Sequence, residues 1–141
     1  MGLPKTPALT VDCVIHDPDG RVLLIRRKNE PFKGAFALPG GFVDIGETVE
    51  TACRREMREE TGLEVHDLAL VGLYSDPGRD PRGHTVSAAF VTRLAVATPP
   101  SAGDDAAAAE WVDDWRGHPL AFDHAQILED AEKMLARRAQ G

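Results

Sequence analysis

The run "REMREETG", Arg55–Gly62, gathers three glutamates, Glu56, Glu59 and Glu60, into five consecutive positions. On a helix, Glu56 and Glu60 are four residues apart and Glu59 is three from Glu56, so the three share a patch. Gly62 closes the run as a helix-ending residue, which puts the carboxylates in a last turn whose own partial charge is negative. A cation must offset them. One candidate is a neighbouring arginine, with Arg55–Glu59 and Glu56–Arg58 as pairs on a solvated face. The other is a divalent metal, because a hard cation such as Mg²⁺ combines a few carboxylates with waters and phosphate oxygens. The run by itself reads as the solvated face, and its flanks change that weighing.

The elements that carry this patch can be read from the pattern. "LTVDCVIHD" predicts a strand, "DPDG" (Asp17–Gly20) a turn, and "RVLLIRR" a second strand of a hairpin. Residues 28–46 are rich in Gly and Pro and read as a loop with a short strand around Phe36–Leu38. Val49, Ala52, Cys53 and Met57 fall at helical spacing, which predicts a helix from Thr48, as N-cap, to Thr61, with Gly62 as C-cap. "LEVHDLALVGLYS" predicts a strand with a bulge near Gly72. "DPGRDPRG" (Asp76–Gly83) is a polar loop, "HTVSAAFVTRLAV" a long strand, "ATPPSAGDDA" a second loop, and "AAEWV" a short strand. From Phe122 onward, Ile127, Leu128, Ala131, Met134 and Leu135 form one helical face, with Asp123 as N-cap. The order predicts an α+β fold, an α/β/α sandwich with a mixed sheet between helices, as a single domain over residues 1–141.

Composition sets limits. The chain of 141 residues is 43% hydrophobic and 28% charged, a soluble globular profile. A net charge of −7 argues against nucleic-acid or anionic-membrane partners, which want a basic face. It does not exclude a small anionic substrate, since a divalent metal reverses the local sign. The two cysteines, Cys13 and Cys53, lack metal spacing and read as buried free thiols. With no signal-like or membrane-spanning apolar stretch, a cytoplasmic location is expected.

Upstream of the glutamates stands "GGFVDIGE". Gly40 and Gly41 let backbone groups approach a ligand or metal closely. Together, residues 41–63, "GFVDIGETVETACRREMREETGL", fit the pattern G-x5-E-x7-R-E-U-x-E-E-x-G-U with U apolar, through Gly41, Glu47, Arg55, Glu56, Met57, Glu59, Glu60, Gly62 and Leu63. On this pattern the chain resembles the Nudix hydrolases, over about residues 9–136. The resemblance implies metal-dependent hydrolysis of a nucleoside diphosphate linked to another group, by water attack on a phosphorus. It implies Glu56, Glu59 and Glu60 as metal carboxylates, the main chain near Gly40 or Gly41 completing the shell, Arg55 orienting the glutamates, and Glu47 supporting the loop or an outer metal. Mg²⁺ is the expected metal, with Mn²⁺ able to substitute. The cation over the patch is then what lets the carboxylates occupy an unfavourable helix end.

Stretches outside that pattern, "RRKNEPFKGAFALPGGFVDIGET", "YSDPGRDPRGHTVSAAF" and "LAFDHAQIL", resemble the microbial ADP-ribose pyrophosphatases. The implied products are AMP and ribose 5-phosphate, and a homodimer is expected because dimers are common in that subset. Alternatives within the family are clean-up of oxidised nucleoside triphosphates, hydrolysis of dinucleoside polyphosphates, and a non-catalytic ADP-ribose sensor. Arg79 and Arg82 lie in a loop where they could clamp phosphate or ribose. Of Arg26 and Arg27, alternation lets only one face the site, and Arg27 is the choice. Phe36 could stack on adenine, and His124 could touch substrate. For the general base, Glu59 is one candidate and Asp105 another, from the loop that also carries Asp104 and Glu110.

Overall fold

The computed structural model describes residues 2–103 and 106–140. The chain opens with β1 (Ala8–His16) and β2 (Val22–Arg27), an antiparallel hairpin. Its turn is held by Asp17, whose fully buried carboxylate accepts from the backbone N–H of Asp19 and Arg21 and from the Arg21 guanidinium at 2.7 Å. Gly20 supplies the left-handed backbone, at φ 83°, that the turn requires.

β3 (Phe36–Ala37) and β4 (Gly40–Phe42) follow, then α1 (Val49–Thr61), β5 (Ala69–Tyr74), β6 (Thr85–Arg93), β7 (Ala106–Val112), a short 3-10 turn (Trp115–Gly117) and α2 (His124–Gln140). The sheet runs β3-β2-β1-β6-β5, with β4 on β1 and β7 on β2. β1 and β6 pair in parallel along their full length and the other pairs are antiparallel, so the sheet is mixed, as the sequence predicts. The bulge expected near Gly72 falls between Leu70 and Gly72.

Alternation on the central strands builds two cores. Val11, Cys13 and Ile15 of β1, with Leu23, Ala88 and Phe90, pack against Ala52, Cys53 and Met57 of α1. Val14, with Val22, Leu24, Ala89 and Val91, packs against Ile127, Leu128 and Ala131 of α2 on the opposite face. Each fully buried Leu or Ile contributes about 1.5–3 kcal/mol relative to exposure. Cys13 and Cys53 are both free and buried. A hydrogen bond with Cys53 and burial push the Cys13 thiol well above its usual range, which makes it unreactive.

The caps of α1 are those the sequence predicts. The Thr48 side chain accepts from the Thr51 N–H, and Gly62 adopts the left-handed conformation at φ 71° while its N–H donates to the Arg58 carbonyl. Strand bounds differ in several places, β6 for one ending at Arg93 and not at Val96. The strand predicted over 63–75 is confined to Ala69–Tyr74, because Leu63 and Val65 turn inward to cover the α1 core instead. β4 was hidden by its glycines, which are poor strand formers. β7 begins at Ala106, in a run of alanines with no strand alternation to read. Asp123 precedes α2 as expected, but both its carboxylate oxygens accept from Arg79.

Candidate active site

α1 packs against β4 and β1, with Glu56 beside Gly41 where β4 pairs with β1. There a cavity of about 380 Å³ opens between the α1 side and the loops that precede β3, β6 and α2. One part of the lining carries Glu56 and Glu60 with Gly40, Gly41 and Asp44, and another carries Arg27, Arg82 and Phe122, which cluster together, with Arg79. Asp12, Leu38, Thr85 and His124 also line it.

Two glycines set the first part of the lining. A Cβ on Gly41 would overlap the Glu56 carboxylate, and one on Gly40 would overlap the Val11 carbonyl. Only glycine lets β4 lie this close to both β1 and α1. Glu60 is only 5% exposed although it is a carboxyl side chain. A nearly buried carboxylate one helical turn from a second, with Asp44 on the same part of the lining, is an oxygen-rich donor set of the kind a hard divalent cation takes. Among the described residues, no three His, Cys, Asp or Glu side chains converge as a preformed cluster. Mg²⁺ does not require one, since one or two carboxylates plus water and substrate phosphate suffice.

Glu59 and Glu47 are placed differently from the other two glutamates. Residues 59 and 60 are about 100° apart around the helix, and Glu59 falls on the outer shoulder, its side chain 59% exposed, where it accepts from Arg55 at 3.1 Å. Glu47 takes Arg55 Nε at 2.7 Å and Nη2 at 2.9 Å on its two oxygens and also accepts the Asp44 N–H. The Arg55 hydrogen bonds, joined by that N–H, hold the Glu47 carboxyl at about 2. Neither lines the cavity. Arg55 ties them to it: Nη1 also donates to Glu56 at 3.0 Å and Nη2 to the Phe42 carbonyl. Arginine and cavity thus share the negative patch, the arginine taking Glu47 and Glu59 and one oxygen of Glu56.

Arg27 lines the cavity while Arg26 turns away, over the Phe36 ring at 3.8 Å and toward Glu110 at 3.5 Å. Arg79 is nearly buried, 5% exposed at its side chain, and is gripped by Asp123 and by Thr85 Oγ1. Arg82 is half exposed and pairs with Asp80. Phe36 does not reach the cavity. It is 3% exposed, in the core beneath α2, because β3 turns its ring toward Leu24 and Leu128 and not toward the opening. Asp105 and its neighbour Asp104 lie outside the described residues.

Three residues at the site escaped the sequence reading. Asp12 is a lone acid in an apolar strand, and that isolation was the available signal. It is 8% exposed and accepts from Ser87 Oγ at 2.6 Å. Asp44 sits in a glycine-rich loop that gives no register. Phe122 sits in no periodic pattern.

His124 is on the lining too. Its Nδ1 accepts the Leu38 N–H at 2.9 Å, which leaves the proton on Nε2, 3.4 Å from Asp12. Burial lowers its pKa, against the pull of Asp12 and Asp123, and Arg79 and Arg27 lower it further. His16 is also lowered, by burial and then by Arg93. A histidine that binds a proton more weakly folded than unfolded costs stability as pH falls below its unfolded value, 6.5. The urea midpoint is therefore expected to be lower at pH 5.5 than at pH 7.5. The depressed Glu47 stays ionised in both the folded and unfolded chain across that window, so it adds nothing. An unchanged midpoint would mean the two imidazoles titrate normally.

A NUDIX domain model matches residues 6–131. The chain is 52% identical over 124 residues to an ADP-ribose pyrophosphatase of Methanocaldococcus jannaschii, covering 88% of this chain and 72% of that protein. It is similar to the crystal structure of a MutT/nudix family protein from Enterococcus faecalis, with a TM-score of 0.87 at 31% identity, over 97% of this chain and 66% of that one. It is similar also to the NUDIX domain of Shewanella oneidensis NrtR complexed with ADP ribose, with a TM-score of 0.85 at 31% identity, over 93% of this chain and 90% of that one. Pattern, topology and these relatives agree, and the chain belongs to the Nudix hydrolase family.

Proposed function

We propose that the chain hydrolyses ADP-ribose to AMP and ribose 5-phosphate, with Mg²⁺ as its metal. The observation that carries this is the pairing, in the lining of one cavity, of Glu56 and Glu60 with Arg27, Arg79 and Arg82. A diphosphate needs both: cationic side chains for its outer oxygens, and carboxylates that recruit a metal to its bridging region. The likeness to a pyrophosphatase of ADP-ribose and to a domain that binds ADP ribose supports the choice of substrate.

Glu56 and Glu60 would hold the metal, with backbone oxygen from Gly40 or Gly41 within reach of the same space. A metal held there would neutralise phosphate charge and lower the pKa of a bound water. Arg55 keeps the Glu56 carboxylate aimed by a hydrogen bond that fixes one oxygen. Arg79, itself fixed by Asp123 and Thr85, orients the diphosphate from another part of the lining. Water adds to phosphorus, the bridging P–O bond breaks, and the water's protons leave with the two phosphate monoesters.

A homodimer and a cytoplasmic setting belong to the same proposal. β5 lies at the edge of the sheet and exposes Leu70 and Leu73, a surface suited to a second copy. Two free buried cysteines suit a reducing compartment. Among the described residues, no helix is long and apolar enough to cross a membrane.

Phosphatase-coupled phosphate release tests the substrate. ADP-ribose is expected to give the highest kcat/KM in a panel with NADH, diadenosine polyphosphates, and normal and oxidised nucleoside triphosphates. EDTA is expected to abolish turnover, with Mg²⁺ or Mn²⁺ restoring it. A triphosphate preference would overturn the substrate, full activity in chelator would overturn the metal, and no turnover at all would favour a sensor.

A further inference from the structure

Among the described residues, two non-glycine residues hold left-handed backbone, Phe32 at φ 61° and Phe122 at φ 53°. A bulky residue at positive φ is a genuine outlier, costly unless its surroundings enforce it, and such outliers cluster at ligand clamps. These two lie 90 residues apart in the sequence, yet their rings meet edge to face at 5.0 Å. Phe122 lines the cavity, while Phe32 packs behind it. The rest of the setting is built around the Phe122 ring. The guanidinium carbons of Arg27 and Arg82 lie over it at 5.0 and 5.7 Å, and the His124 ring is tilted against it at 5.3 Å. Arg27 is itself fixed, its Nε donating to the Pro31 carbonyl at 2.6 Å.

We propose that Phe122, buttressed by Phe32 and steadied by Arg27 and Arg82, is the surface on which the substrate's nucleobase stacks. This rests on the ADP-ribose reading and gives its base a place. A flat aromatic ring is a side-chain surface on which an unpaired base stacks. Phe122 also lines the same cavity as Glu56 and Glu60, so a base on its ring and a diphosphate beside the carboxylates share one space. Phe42 is the other phenylalanine on the lining, but it is on the glutamate part, its carbonyl bound by Arg55 and its backbone ordinary. The sequence points to Phe36 for this role, and the structure buries Phe36 in the core.

Calorimetric titration of the purified chain with AMP and, separately, with ribose 5-phosphate tests the proposal without turnover. Phe122→Leu keeps apolar bulk against Phe32 but removes the flat face, and Phe122→Tyr keeps it. AMP affinity is expected to fall by about 5- to 100-fold in Phe122→Leu and to recover in Phe122→Tyr. Ribose 5-phosphate binding is expected to be unchanged in both. In turnover, Phe122→Leu is expected to raise KM for ADP-ribose far more than it lowers kcat. Equal loss of both ligands in Phe122→Leu would make Phe122 a structural support and overturn the proposal. So would unchanged AMP binding, no AMP binding by the wild type, or a base-specific loss in Phe42→Leu instead. Melting curves identify a variant that fails to fold, and if Phe122→Leu does, Phe122→Tyr against Phe122→Met decides. If the wild type binds AMP through Phe122 but does not hydrolyse ADP-ribose, the stacking role stands and the substrate falls. Hydrolysis of ADP-ribose with AMP binding indifferent to Phe122 gives the reverse.

Discussion

Glu60→Gln is expected to cut kcat by about 100-fold or more while the fold survives. Glu60 is 5% exposed and sits in the last turn of α1, where the helix's own carbonyls disfavour a negative charge. The isosteric amide keeps the size of the side chain and removes its charge. It is expected to abolish the rise in melting temperature that Mg²⁺ is expected to produce in the wild type by binding the folded state. Loss of that rise with the metal-free melting temperature little changed separates a metal carboxylate from a structural one, for which activity and metal-free stability would fall together. Glu59→Gln is the natural comparison. Its side chain is exposed and paired with Arg55, so its loss is expected to cost much less. Wild-type turnover by Glu60→Gln would remove the role given to it, and a larger defect in Glu59→Gln would mean that Arg55 releases that residue to the metal.

The contrast between Glu59 and Glu60 marks how far the sequence could be read. Spacing put all three glutamates on one patch, because residues three and four apart are neighbours on a helix. It could not say which side of the patch faces the cavity. That depends on how α1 is rolled against β1, through Ala52, Cys53 and Met57. Local features were legible because local chemistry fixes them: the Thr48 and Gly62 caps, the Asp17 turn, and the alternation that turns Arg27 inward and Arg26 out. The two phenylalanines show the limit. Phe36 stands in a glycine-rich loop beside the glutamate pattern, where an aromatic invites a ligand, yet a two-residue strand swings it into the core. Phe122 gives no signal, since its place depends on a backbone conformation rare for phenylalanine and on contact with Phe32 across the fold. Asp12 was missed, although it is a lone acid in an apolar strand. Its partners, Ser87 and His124, are 75 and 112 residues away, and only the parallel pairing of β1 with β6 and the start of α2 bring them together.

Arg55 is expected to be as costly to lose as Glu60, through a different cause. Its guanidinium spends both edges at once, with Nε and Nη2 on Glu47, Nη1 on Glu56 and Glu59, and Nη2 on the Phe42 carbonyl. No other side chain has the fork to span those groups, so Arg55→Lys, which keeps the charge, is expected to fail nearly as badly as Arg55→Ala, each losing about 100-fold in kcat/KM. Freed from Arg55, Glu56 loses its fixed direction, and Glu47 with Asp44 loses the tie that holds the loop before α1. Acid titration provides a second readout. Glu47 is held at about 2, below the usual 4.5, so the stability it contributes is complete above about pH 4.5 and disappears as pH falls toward 2. Arg55→Ala lacks the larger part of that contribution from the start, keeping only what the Asp44 N–H supplies. The gap in urea midpoint between wild type and variant is therefore expected to be widest near pH 6 and to narrow by pH 3, with the buried histidines cancelling because both proteins carry them. A gap independent of pH would assign the defect to lost packing of the arginine stem. An Arg55→Lys enzyme of normal activity would show that charge alone, without the fork, is enough to aim the glutamates.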